Sequence, residues 1–233
     1  LAVIVSGCDG DVIDGHGQLF YERTRTGSAP NPPAASVFLR GANHNGFNTA
    51  LGGDLFVPTD RPECASLLPG EQQRQFLVDY AADFLTTLYS PDPTARLDAA
   101  TRLGMDATTY APAEVMGRPA LVASLAAGDE RRPIFTPTSA DEMTTHLAGG
   151  AVAADNVSIH FCEEGFSVPA ANPGSEPCLR PNVTIPGYPD MVVVSWEAGG
   201  AELRFALPEG ERDLSRYTTV SLRAAVDPLS PLN

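Results

Sequence analysis

Asp9, Asp11 and His44 are the residues whose types and spacing point to chemistry. The two aspartates end an apolar run in "LAVIVSGCDGDV", and the histidine stands in "GANHNGFNT", directly after a second apolar run, "ASVFLR". A carboxylate that holds one nitrogen of an imidazole leaves the other nitrogen free to take a proton. That is two thirds of a Ser-His-Asp device. The same residues have plainer uses. Asp-Gly favours tight turns, Asp9, Asp11 and Asp14 together suit a Ca²⁺ site, and Asn43 and Asn45 flank His44 as ordinary loop partners. His16 reads as structural, and His146 and His160 receive no role. Cys8 lacks the electropositive setting that a thiolate nucleophile needs.

These residues need rigid elements to carry them. Leu1–Ser6 is short, continuous and apolar, as strands buried on both faces are. Gly15–Thr26 predicts a short helix with Leu19 and Phe20 on one face, stopped by "GSAPNPP". Ala35–Arg40 is the next strand. A strand, a helix and a second apolar strand make a βαβ unit with parallel strands. Chemistry in such sheets gathers at the carboxyl ends of the strands, where the aspartates and His44 lie. From Glu71 to Tyr89 the apolar positions Phe76, Leu77, Tyr80, Ala81, Phe84, Leu85, Leu88 and Tyr89 recur with helical period, which predicts a long helix against the sheet. Pro69 falls at its first turn. Thr94–Leu103 predicts a shorter helix, and "MDATTYAPAEVMGRP" reads as a linker.

Beyond the linker, "ALVASLA", "NVSIHFC", "MVVVSWEA", "AELRFALP" and "TTVSLRAAV" are short β-rich runs between Gly, Pro and Asp clusters, the pattern of an antiparallel sandwich or jelly roll. The expected division is 1–104, 105–119 as linker, and 120–233, so the fold class is α/β followed by all-β. Trp196 and Tyr188 have the types of a sugar-binding platform, although a single Trp in a strand is ordinarily core. Asn156 and Asn182 head glycosylation-type triplets, which matter only in a eukaryotic secretory host.

Composition narrows the partners. The 233 residues carry a formal charge of −14, which argues against nucleic acid or an anionic membrane as partner. No run reaches the roughly 18 apolar residues that span a bilayer. The four cysteines, at 8, 64, 162 and 178, show no CxxC metal spacing. They pair by halves as Cys8–Cys64 and Cys162–Cys178, with buried thiols as the alternative. Disulfides closing loops of those sizes contribute roughly 4 and 3 kcal/mol and imply an oxidising, secreted setting. No cofactor and no metal is expected.

The first ninety residues resemble α/β-hydrolases. "LAVIVSGCDGDV" is similar to the family's penultimate core strand and the D-x-x-V turn after it, here Asp9 and Val12. "VFLRGANHNGFNT" is similar to the last core strand and the loop of the catalytic histidine, here His44. The helix Glu71–Tyr89 is similar to the C-terminal helix that closes the fold. The closest likeness is to secreted bacterial lipases and polyester hydrolases that carry a β-sandwich after the hydrolase domain. The resemblance implies Asp9 as triad acid, with Asp11 as the fallback, and His44 as catalytic histidine.

The family's G-x-S-x-G nucleophile has no counterpart here, although chain order places it upstream of both partners. The expectation is therefore a C-terminal hydrolase portion whose serine and oxyanion hole lie in an N-terminal part or a companion chain. It is inactive alone, with both sheet edges bare and a last strand that has no return. The chain acts, on this reading, in a secreted serine ester hydrolase. The alternatives are a module binding carbohydrate or a polymer surface, and a structural component that keeps a vestigial hydrolase fold.

Overall fold

The computed structural model describes residues 1–12, 16–24, 33–59, 62–105, 112–127, 130–163, 190–222 and 224. Strand β1 (Ala2–Ser6) leads through helix α1 (His16–Arg23) to β2 (Ala34–Leu39). The two strands pair in parallel, with Ala2 opposite Ala35 and Ser6 opposite Leu39. The expected βαβ unit is present.

Helices cover both faces of this pair. On one face Gly17 of α1 sits against Val3, close enough that a Cβ would come within 2.9 Å of its methyl. The Ser36 hydroxyl donates to the Gln18 side chain at 2.5 Å. Phe20, expected to share the inward face of α1 with Leu19, is exposed, and the buried aromatic is Tyr21. The opposite face carries Val37 and Leu39 in the main core, with Phe76 and Tyr80 of helix α2 (Gly70–Tyr89) and Leu103.

Helix α2 starts where the sequence predicts, with Pro69 as its N-cap. Its buried stripe is narrower than the apolar pattern. Gln73, Phe76 and Tyr80 are buried, whereas Leu77, Leu85 and Tyr89 are exposed. Burying a side chain such as Phe76 stabilises by roughly 1.5–3 kcal/mol. Helix α3 (Pro93–Arg102) opens on an Asp92 cap that accepts the Thr94 N–H at 2.9 Å. It is tied back to α2 by the two-pronged Arg102–Asp83 pair, 2.7 Å on each prong.

"ALVASLA" does not open a separate β-domain. It lies in strand β4 (Arg118–Leu125), which pairs antiparallel with β2, Leu39 opposite Ala120. The bare edge expected beside the second strand is thus covered. Part of the expected linker is also ordered: β3 (Glu114–Val115) forms a hairpin with β4 across Met116 and Gly117. Both loop residues have positive φ, 51° and 69°, the turn whose twist matches that of its strands. The sheet order is β1-β2-β4-β3.

The described part of the remaining chain is β-rich but builds small sheets. Strand β5 (Val152–Asp155) pairs antiparallel with β8 (Glu202–Phe205), and β6 (Ser158–Cys162) with β7 (Met191–Ser195). The run expected as a last strand forms none over its described part, and Val220 and Leu222 there are exposed. The described residues therefore show an α/β unit and two antiparallel ribbons. Cys8 and Cys64 form the expected disulfide. Cys162 is also disulfide-bonded, and its expected partner Cys178 lies outside the described residues. No helix among them is long and apolar enough to cross a membrane.

Candidate functional site

The carboxyl ends of β1 and β2 lie side by side because the strands are parallel and in register. The loops that leave them are held together from the first residue: Gly7 N–H donates to Leu39 O at 2.8 Å and Cys8 N–H to Ala42 O at 2.7 Å. The disulfide anchors the same turn to Cys64. These bonds deliver Asp9 and His44 to one another across 35 positions of sequence, with His44 Nδ1 lying 3.1 Å from Asp9 Oδ2.

The two aspartates have different work. Asp9 Oδ1 accepts its own turn's N–H groups, from Asp11 at 2.9 Å and Val12 at 2.6 Å, which leaves Oδ2 for the ring. Asp11 does not meet the histidine. Its Oδ1 accepts Leu55 N–H at 2.7 Å and its Oδ2 accepts the Asn45 side chain at 3.0 Å. Asp11 fastens a neighbouring loop. Asp14 and Tyr188, together with Asn182 of the second triplet, lie outside the described residues, as does the side chain of His16.

The pair is open to solvent on the histidine side. The His44 side chain is 43% exposed and that of Asp9 14%. An Nδ1–H donated to the carboxylate fixes the tautomer in which Nε2 carries the lone pair. Nε2 takes no hydrogen bond from the described residues. Such a ring can remove a proton from a hydroxyl brought to it and return it to a leaving group.

Asp54 is the residue that the sequence reading missed. Its Oδ2 accepts the N–H groups of Gly10 and His44, both at 2.9 Å. Its Oδ1 accepts the N–H of Asn45 at 2.8 Å and the side-chain amide of Asn43 at 2.7 Å. Burial works to raise its pKa, but the N–H groups of Asn45, Gly10 and His44 and the Asn43 amide outweigh it and hold the carboxyl below its ordinary value. Gly10 has to be glycine, since a Cβ there would stand 1.7 Å from Phe56 O. The only advance signal for Asp54 is its place in "GGDLF", a turn sequence without periodicity.

Helix α2 supports the histidine loop from below. The fully buried Gln73 accepts Asn43 N–H at 3.2 Å and donates to Asn43 Oδ1 at 2.8 Å and Leu68 O at 2.7 Å. Arg74 donates to Gly46 O at 3.1 Å. The other histidines lie elsewhere. His146 is buried, with Nε2 at 2.8 Å from Ala206 O and Nδ1 accepting Ala148 N–H at 3.2 Å, a satisfied structural ring. His160 is exposed on β6. Trp196 follows β7 and is 64% exposed, so it is not core. No family model, no curated protein and no solved structure matches this chain.

Proposed function

We propose that this chain supplies the acid and the histidine of a serine ester hydrolase, with the serine and the oxyanion donors provided by another part of the polypeptide or by a companion chain. The observation that carries the reading is the 3.1 Å contact between His44 Nδ1 and Asp9 Oδ2 at the carboxyl ends of two parallel strands. Its likeness to the last two strands and the closing helix of α/β-hydrolases supports it.

Asp9 holds the imidazole in the tautomer with Nε2 unprotonated. Nε2 takes the proton as the serine oxygen attacks the ester carbonyl, and gives it to the departing alkoxide. In the second half, water replaces the serine and the same nitrogen handles its proton. The substrate is a carboxylic ester. The exposed apolar residues Val12, Leu55 and Phe56, on the loops that Asp9 and Asp11 bond, offer surface to its acyl part. The Cys8–Cys64 disulfide supports an oxidising, extracellular setting.

The test is hydrolysis of a short p-nitrophenyl ester by the complete assembly. The expected outcome is activity that His44→Ala abolishes and that Asp9→Asn lowers by about four orders of magnitude, as loss of the orienting acid does in serine proteases. This chain alone is expected to be inactive. Absence of any serine labelled by a fluorophosphonate probe in the assembly would overturn the reading.

The exposed Trp196 at the end of β7 favours a second reading, a platform on which a sugar ring or polymer surface stacks. Retention of the chain on insoluble polysaccharide or polyester, abolished by Trp196→Ala with ester hydrolysis unchanged, distinguishes that role.

A further inference from the structure

We infer that Asp54 is the positioning residue of the Asp9–His44 pair, which it sets without touching either side chain; the inference rests on the pair being the acid and base proposed above. The His44 ring meets Asp9 at 3.1 Å, near the long end of a useful hydrogen bond. A drift of about half an ångström between the two loops breaks it. The quantity that has to be held constant is therefore the separation of the loop after β1 from the loop after β2.

Asp54 Oδ2 spans that separation at the level of the reacting residues. One oxygen atom accepts the N–H of Gly10, next to the acid, and the N–H of His44 itself. The other oxygen accepts Asn45 N–H and the Asn43 amide, so all three residues of the histidine turn hang on one carboxylate. Asp54 is in turn kept in place from the acid's side, where Asp11 accepts the N–H of the adjacent Leu55.

The chemistry requires an ionised carboxylate. Three backbone N–H groups and one amide N–H converge on it, and only a carboxylate offers acceptors in a two-pronged plane with nothing to donate. An asparagine at position 54 turns an NH₂ toward two of the four donors. Those donors are then left without an acceptor, and the spacing of Gly10 from His44 is no longer set by a shared carboxylate, although Cys8–Ala42 and Asn45–Asp11 still join the loops.

The experiment reads the His44 tautomer by imidazole ¹⁵N correlation spectra of the full chain under mildly alkaline conditions. In the wild type the Nδ1–H form is expected to predominate, and in Asp9→Ala the ring shifts toward the Nε2–H form. Asp54→Asn is expected to shift it likewise, with the amide signals of β1 and β2 unmoved. Asp83→Asn, which removes a carboxylate on α2, leaves it unchanged. If Asp54→Asn does not fold, Asp54→Ser, with a single short acceptor, is read in its place and the same shift is expected.

Retention of the Nδ1–H form in a folded Asp54 variant overturns the inference. A wild-type ring that lacks the Nδ1–H form instead overturns the Asp9–His44 reading. Neither result depends on a serine or a substrate, so the two failures are told apart.

Discussion

Three carboxylates sit within one loop cluster, and each is specialised by what it accepts. Asp9 keeps one oxygen for the imidazole, Asp11 serves the backbone of Leu55 and the Asn45 amide, and Asp54 gathers the histidine turn. Sequence spacing singles out Asp9, Asp11 and His44, but the division of labour depends on which N–H groups come near, which no spacing reports. The held-down pKa of Asp54 has a consequence for stability. A carboxyl whose folded value lies below its unfolded value of 3.8 stabilises fully above that value. The contribution is lost as pH falls through the lowered folded value. Wild type should therefore exceed Asp54→Asn in urea midpoint at neutral pH, with the gap closing in strongly acidic solution. A gap that stays constant down to about pH 2 would count against the assignment.

At the scale of elements, α2 does more for the site than its apolar pattern advertises. The residue of greatest consequence on its buried stripe is polar. Gln73 satisfies Asn43 and Leu68 at once. Gln73→Leu would raise the helix's apolar content, yet it leaves buried donors and acceptors unpaired at about 1–3 kcal/mol each. Leu77→Ala, on the exposed side, should stay within about 0.5 kcal/mol of wild type. Urea unfolding of both variants checks the contrast, and a neutral Gln73→Leu would refute it. The helices α2 and α3 were legible within a residue or two because caps and period act locally. The β3–β4 hairpin was not, since its two residues per strand carry no period and its turn is Met-Gly rather than Asn-Gly.

At the scale of the whole molecule, the main core of the described residues lies between the parallel pair, the strand β4 beside it and the helix α2. Among the described residues the later strands form two-stranded ribbons whose residues, the buried Cys162 apart, are exposed or half-buried, the arrangement that is marginal in water. Amide hydrogen exchange should divide accordingly, with β1, β2 and β4 opening only with global unfolding and the β6–β7 ribbon exchanging through cheaper local openings. Equal protection in both would show a single cooperative unit instead.

The sequence by itself pointed to the βαβ unit, the helices α2 and α3, the Cys8–Cys64 bridge as the favoured of two cysteine readings, and the candidacy of Asp9 and His44. Each of these follows from local period, capping, cysteine pairing by halves or the ends of apolar runs. Only the tertiary structure decided that "ALVASLA" joins the first sheet, because strand pairing is a choice among distant partners that a run of apolar residues does not encode. Only it separated Asp9 from Asp11 by contact, and brought Asp54 between the two loops. A hydrogen-bonded carboxylate is chosen by the donors that surround it, and those donors converge only when the chain is folded.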